Sequence, residues 1–294
     1  MVGPHAKVLL AAVCFGTTGT VQAIGPGASP VAVGAARIVL GGALLVAVAR
    51  ALGVRTPRPS ATVLTIAIAI VVYQLGFFAA VKLTGVAVGT VVAIGTGPAA
   101  AGLLGRLVNG ERLSARWALA TACAAAGVLL LAGDGGGTVD ISGIALAVTA
   151  GVGYAGSTVL SKRLLGAGEQ PEGVMAAGFG GAAVLLAPVL VVAGPGFLGD
   201  PAGLGMALYL GAIPTALAYV LFSRGLRSLS SGETATLVLA EPVTAALLGV
   251  VALGEQPSLT AAAGGALVLA GLVVLAAGGR RAAARRLEPG VALA

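Results

Sequence analysis

Residues 97–114, GPAAAGLLGRLVNGERLS, recur 144 residues later as residues 241–258, EPVTAALLGVVALGEQPS. In a chain so rich in alanine and leucine, the informative matches are Pro98 with Pro242, Gly105 with Gly249, Gly110 with Gly254, Glu111 with Glu255, and Ser114 with Ser258. The register holds without a gap as far as Gly127 over Gly271. The chain is therefore predicted to consist of two related halves.

The chain is too apolar to be a soluble domain. Hydrophobic residues make up 58% of its 294 residues, charged residues make up 9%, and the mean hydropathy is +1.05. This leaves too little polar surface to coat a soluble fold, so lipid is the expected solvent. Because backbone groups in lipid must bond within their own segment, apolar runs of about 20 residues are interpreted as membrane-spanning helices.

Charges, prolines and glycine clusters divide the chain into ten such runs. The first half contains runs 6–24, 30–49, 61–83, 87–108 and 115–132, and the second half contains runs 141–161, 172–193, 203–225, 231–253 and 259–277. Five spans is an odd number, so the second half is inserted upside down relative to the first, as in many secondary transporters. We predict an all-α integral membrane protein whose ten transmembrane helices form two inverted five-helix repeats. The predicted segments are the repeats at 1–133 and 141–278, an external loop at 134–140, and a basic cytoplasmic tail at 279–294.

Several residues match known signals for helix ends. Ser230 with Glu233 three residues later matches a capping box, and Ser29 before Pro30 matches an N-cap followed by a first-turn proline. The glycines that suit left-handed helix stops after the fourth and ninth runs are Gly110 and Gly254.

Basic residues lie in alternate loops when the N-terminus is placed inside. The fifteen on that side, of 17 in the chain, are Lys7, Arg50, Arg55, Arg58, Arg106, Arg112, Arg116, Lys162, Arg163, Arg224, Arg227, Arg280, Arg281, Arg285 and Arg286. The opposite loops hold Asp134, Asp140, Asp200 and Glu255, with Lys82 as the basic exception. By the positive-inside rule, we predict a multi-pass protein of the cell membrane with both termini in the cytoplasm.

Composition and motifs disfavour several function classes. The net charge of +7 is spread between the apolar runs rather than clustered, so no nucleic-acid partner is expected. Cys14 and Cys123 lie inside apolar runs, where cysteine is typically a small buried residue. The sequence has one histidine, His5, and no phosphate-binding loop or metal-binding motif. We therefore expect no metal, no cofactor, no catalytic residues and no ATP-driven pumping.

The fourth and the ninth runs each contain a proline and are followed by a Gly-Glu pair. Arg37 lies in AARIVL of the second run, and Glu241 lies in LAEPVTAALLG of the ninth run. With five spans in each half, this pattern resembles the EamA branch of the drug/metabolite transporter superfamily over nearly the whole chain. The resemblance implies a ten-helix fold with a central cavity and the transport, with export expected, of a small metabolite such as an amino acid or an amphiphilic compound. Unlike smaller single-repeat relatives, the first span carries no glutamate, so coupling through such a residue is not available here.

Glu241 and Arg37 are the ionisable residues predicted to lie inside spans, where a charge costs roughly 2.5 to 3.5 kcal/mol. Glu241 either bonds a neighbouring helix beside the kink expected at Pro242 or takes part in coupling. Arg37 is either an architectural anchor or a substrate contact. Their predicted depths differ by only several ångströms, at about 1.5 Å per helical residue. If they pair, they form a structural lock or a site for a zwitterion; if they do not, Glu241 is the candidate for proton coupling.

Further candidates are polar and aromatic residues away from the span ends. These are Thr17, Tyr73, Gln74, Tyr154, Ser157, Thr215 and Tyr219, which we expect to line a central cavity, although each aromatic ring also suits simple core filling. Pro98 and Pro242, at equivalent positions in the halves, are candidate hinges.

A membrane-embedded enzyme and a structural or sensory subunit are the alternative functions. The former would need a catalytic cluster inside the bilayer, and the latter would not need an inverted repeat. The expected partners are a small-molecule substrate and the lipid bilayer, and the sequence does not indicate an oligomeric state.

The topology can be tested with single cysteines and a membrane-impermeant thiol reagent. We expect positions near Arg55 and Arg285 to react from the cytoplasm, and positions near Gly136 and Gly199 to react from outside. A cytoplasmic Gly136 would contradict the inverted repeat.

Overall fold

The computed structural model describes residues 2–131, 140–254, 256 and 258–287 of the chain, with side chains omitted at 86–87 and 276–287. This part of the chain is helical and contains no strand. Of the predicted features, residues 134–139 of the inter-repeat loop, Glu255 and residues 288–294 of the tail lie outside the described residues.

The helices follow the predicted runs closely. We number them α1 (Pro4–Ile24), α2 (Pro30–Ala51), α3 (Ala61–Gly85), α4 (Val88–Asn109), α5 (Ala115–Leu131), α6 (Ile141–Gly166), α7 (Pro171–Ala193), α8 (Pro201–Leu226), α9 (Ser231–Leu253) and α10 (Leu259–Leu287). A short 3₁₀ turn, Pro195–Gly199, precedes α8. Within α8, a wide π-helical turn occupies Ala212–Leu217. Helix α9 has two segments, Ser231–Val238 and Ala240–Leu253, separated at Leu239.

Eight of these helices, α1 to α4 and α6 to α9, are long and apolar enough to cross a membrane. Helix α5 and the apolar part of α10, Leu259–Leu275, are shorter apolar helices. The expectation of an all-helical membrane protein therefore agrees with the described structure, while the count of ten spans stays a prediction.

The chain reverses direction at Gly85, between α3 and α4. Its φ of 81° lies in the left-handed region, which glycine occupies at little steric cost. Helix α6 is antiparallel to α3, because Gly143 lies against Thr84 and Gly153 lies against Tyr73. It is parallel to α4, because Gly151 lies against Thr96 and the Val159 carbonyl accepts from Asn109. Helices α3 and α4 are therefore antiparallel to each other, and both pack on α6.

The most extensive of the remaining contacts also pair helices of the first half with helices of the second. Helix α1 packs on α8 and α9, α2 packs on α7, and α5 packs on α10. Loops predicted to share one side of the membrane meet at one end of the bundle, in the pairs Arg55 with Gly173, Glu111 with Ser231, Lys162 with Leu226, and Glu172 with Arg224. We call this the basic end and the opposite one the Gly85 end. Which end faces the cytoplasm stays a prediction.

The predicted helix-end signals are largely confirmed. Ser230 and Glu233 form a reciprocal capping box. Gly110 and Gly254 adopt left-handed conformations, with φ of 66° and 70°. Ser29 is the N-cap of α2, as predicted, but its side chain makes no capping hydrogen bond.

Adjacent glycines of α10 provide a matched test of helix packing. A Cβ at Gly264 would lie 2.6 Å from the Gly127 carbonyl oxygen of α5, whereas a Cβ at Gly265 would meet only the end of Leu131, at 3.8 Å. We expect Gly264→Ala to lower the free energy of unfolding by about 1 to 3 kcal/mol through overpacking. Gly265→Ala should leave it unchanged or raise it slightly, because alanine favours helix. Thermal unfolding in detergent would measure both, and equal shifts would contradict the close α5–α10 packing.

Candidate functional site

Helices α4 and α9 meet at the basic end and separate toward the Gly85 end. Gly102 of α4 and Gly232 of α9 pack so closely that a Cβ on Gly232 would lie 3.1 Å from the Gly102 Cα. Helix α4 contacts the first segment of α9 but makes at most marginal contact with the second. The two helices therefore form a V whose arms begin to part near the middle of α9.

The break in α9 lies where the arms of this V part. Pro242 has no N–H and so cannot bond the Val238 carbonyl four residues earlier. The helical ladder is interrupted at Leu239, whose N–H donates to the Thr236 carbonyl at 3.1 Å in a tighter turn. Glu241 follows this break and is half-buried, so part of its side chain is still accessible. The kink expected at Pro242 is thus present as an interruption three residues before it.

Arg37 of α2 and Gln74 of α3 are brought together by the fold. The Arg37 Nη2 donates to the Gln74 Oε1 at 3.4 Å, and Gln74 is 3% exposed. The Arg37 Nε is buried and has no hydrogen-bond partner within the described residues. Arg37 lies in electrostatic range of Glu241, but the two do not form an ion pair; among described residues the ion pair is Arg224 with Glu172, at 2.6 Å.

A cluster of aromatic rings from five helices lies beside these charges. The ring pairs, with centroid distances, are Phe15 and Tyr219 at 5.0 Å, Tyr73 and Tyr154 at 5.8 Å, Phe179 and Tyr219 at 4.2 Å, and Tyr154 and Phe222 at 6.4 Å. The buried hydroxyl of Tyr154 has no hydrogen-bond partner in the described chain. Tyr73, Tyr154 and Tyr219 are half-buried, which suits side chains that border a cavity.

A narrow cavity continues from this cluster toward the basic end. It is small, with a volume of about 10 Å³, and lies between α3, α6, α7 and α8, where its lining includes Ser157, Thr158, Ser161, Met175 and Tyr219. The hydroxyls of Ser157 and Thr158 donate to the Tyr154 carbonyl. One side of α6 thus carries a line of hydroxyl groups from Tyr154 to Ser161.

Like Ser157, two more of the predicted cavity residues, Thr215 and Thr17, have hydroxyls that donate to a carbonyl of their own helix. Thr215 is fully buried, and its Oγ1 donates at 2.8 Å to the carbonyl of Leu210, which Pro214 cannot bond because it lacks an N–H. The Thr17 Oγ1 donates to the Cys14 carbonyl at 2.8 Å. Thr215 is therefore placed to repair the backbone of α8. From the sequence, Thr215 was predicted only as a cavity residue, and the adjacent Pro214 is the signal that could have indicated this role.

The structure also contains polar contacts that sequence reasoning missed. They are Glu111 with Ser231, Thr121 with Thr236, Asn109 with Val159, Lys162 with Leu226 and Arg227, and Glu172 with Arg224. Their partners lie 50 or more residues apart, so a single sequence carries no direct sign of the pairing. The nearest signal was the repeated Gly-Glu pair, which singled out Glu111 without its partner.

Comparisons with known proteins identify a family of membrane transporters. The model of the EamA-like transporter family matches residues 5–133 and 141–277. The uncharacterized transporter YwfM of Bacillus subtilis is 43% identical over 256 residues, which cover 85% of this chain and 86% of YwfM. The uncharacterized protein PA1977 of Pseudomonas aeruginosa is 34% identical over 154 residues, 52% of each chain. A solved crystal structure superposes with a TM-score of 0.82 at 25% identity, over 97% of this chain and 99% of its own. The chain therefore belongs to the EamA-like transporter family.

Proposed function

We propose that the protein is a secondary transporter that exports a small metabolite, such as an amino acid or an amphiphilic compound, by alternating access around the central site. One observation carries this proposal: the Arg37 Nε and the Tyr154 hydroxyl are buried without hydrogen-bond partners among described residues, and the half-buried Glu241 lies within electrostatic range of both side chains. Membership of a transporter family favours transport over catalysis.

Unpartnered polar groups inside a membrane protein suggest a ligand. A buried donor or acceptor without a partner costs about 1 to 3 kcal/mol, and more when it is charged. A ligand that supplies the missing partners offsets this cost. The Arg37 guanidinium suits a carboxylate or another anion, Glu241 suits an ammonium group, and the rings of Tyr73 and Tyr219 suit an apolar body. A small zwitterion or amphiphile combines these features.

The proposed mechanism uses the two halves as inverted repeats that rock against each other. Three observations support it. The family model matches once in each half. Helix α6 packs on α3 and α4 much as α1 packs on α8 and α9, and the pairs α2 with α7 and α5 with α10 join equivalent helices. In the predicted orientation the basic end is cytoplasmic, so the present arrangement of α4 and α9 is closed to the cytoplasm and parted toward the outside.

Substrate exchange in proteoliposomes tests the function itself. In counterflow with a panel of amino acids, nucleobases and cationic drugs, we expect at least one compound to exchange at a rate well above that of protein-free vesicles. Zwitterionic and amphiphilic compounds should be preferred, because the Arg37 guanidinium can bind an anionic group and the aromatic rings can contact an apolar body. The absence of exchange for every class in correctly inserted protein would contradict transport of such metabolites.

Glu241 is the proposed coupling group for protons. Its electrostatic neighbours are Arg37 of α2, Tyr73 of α3, Tyr154 of α6 and Tyr219 of α8. Because a Gln side chain cannot carry a proton on and off, we expect Glu241→Gln to insert normally, to lose accumulation driven by a pH gradient, and to retain some counterflow. Glu169→Gln, at the basic end of the bundle, is the control and should accumulate substrate normally. If Glu241→Gln still concentrates substrate with an unchanged pH dependence, Glu241 is not the coupling group.

A further inference from the structure

Glu111 joins the two halves of the protein at the basic end. Gly110 turns the chain sharply after α4, and Glu111 then lies back over the last turn of that helix, where its N–H donates to the Gly105 carbonyl at 3.2 Å. Its Oε2 accepts from the N–H of Ser231 at 2.9 Å, and its Oε1 accepts from the Ser231 hydroxyl at 2.9 Å. Both carboxylate oxygens of a first-half residue thus bind the first residue of α9.

The position of this contact makes it strong for a side-chain bond. The first N–H groups of a helix have no partners within the helix, and the helix dipole places partial positive charge there. A carboxylate that accepts from such a group forms a charge-assisted hydrogen bond. The approach also depends on glycine, because a Cβ on Gly105 would collide with the Glu111 Oε2.

Other polar contacts at this end differ from the one made by Glu111. Lys162 bonds the carbonyls of Leu226 and Arg227, and Glu172 pairs with Arg224, but these five residues all belong to the second half. Asn109 and Thr121 do cross between the halves, each through one neutral hydrogen bond. Glu111 crosses with a charged group and two bonds, directly onto the helix that carries Glu241.

We propose that Glu111 is the latch that keeps the basic end closed, and that its release from Ser231 lets the first segment of α9 move away from α4. The alanines that pack between α4, α6 and α9, which are Ala101, Ala155 and Ala235, then become accessible from the basic end. This inference rests on the proposed alternating access, but it assigns the gate to one carboxylate and its test needs no substrate.

The test measures how readily a buried cysteine reacts from the basic end. Ala101 of α4 is fully buried in one cluster with Ala235 of α9, so Ala101→Cys in a chain with Cys14→Ser and Cys123→Ser is a suitable reporter. A membrane-impermeant thiol reagent is applied to vesicles whose basic end faces the bulk solution. Loss of a hydrogen bond to a charged group is worth about 1.5 to 3 kcal/mol, so Glu111→Gln should raise the labelling rate about tenfold or more.

Glu233→Gln is the matched control. Glu233 also accepts from backbone at the start of α9, but from Ser230 within the same half. This variant should change labelling by less than about twofold, because it weakens the cap without freeing the two halves. An equal increase in Glu111→Gln and Glu233→Gln would mean that fraying of α9 exposes the reporter, and would overturn the latch.

Ser231→Ala provides a second, milder variant that removes only the hydroxyl donor. It should raise labelling less than Glu111→Gln, and the double variant should label no faster than Glu111→Gln alone, because both changes break the same contact. Additive effects would overturn the latch. Unchanged labelling in Glu111→Gln with normal counterflow would overturn the latch alone. Faster labelling without counterflow of any tested compound would support the latch and count against the proposed function.

Discussion

A carbonyl group inside a bilayer has no water to bond, so a proline in the interior of a membrane helix creates a backbone acceptor that the protein must accommodate. This constraint shapes the centre of the molecule. In α8, Pro214 cannot bond the Leu210 carbonyl, and the Thr215 hydroxyl takes that place inside a widened turn. In α9, Pro242 cannot bond the Val238 carbonyl, and the helix breaks at Leu239 beside the half-buried Glu241. The same defect is compensated by a hydroxyl in α8 and leaves an interrupted hydrogen-bond ladder in α9, the helix that parts from α4.

Close helix approach has a comparable influence at the ends of the bundle. Without side chains on Gly102, Gly105 and Gly232, α4 and α9 come near enough for Glu111 to reach the first N–H of α9. Glycines that face backbone carry much of the contact between α5 and α10 as well. Lipid tails are as apolar as leucine, so helices in a bilayer gain little from burying apolar surface and depend on such close packing and on interhelical hydrogen bonds.

Features encoded by neighbouring residues were predictable from the sequence. The Ser230–Glu233 capping box and the left-handed Gly110 and Gly254 are local, and each was placed correctly. Contacts that depend on how helices rotate about their axes were not predictable. Depth along the membrane put Arg37 and Glu241 at similar levels, yet Arg37 bonds Gln74 instead, because equal depth does not fix the direction in which a side chain leaves its helix. The link from Glu111 to Ser231 spans 120 residues and was missed for the same reason.

Helix α9 places the proposed site and the proposed latch on one element. Ser231 and Glu241 are ten residues apart, or about 15 Å along a helix, with the Leu239 break between them. A rigid helix would transmit any movement of the Glu241 segment directly to the Glu111 contact. In the proposed mechanism, the interruption at Leu239 lets the second segment adjust to a ligand while the first segment stays bound to Glu111. The two segments move together only after the helix can bend no further at Leu239. In the proposed mechanism the proline beside Glu241 therefore sets how far the site must close before the basic end is released.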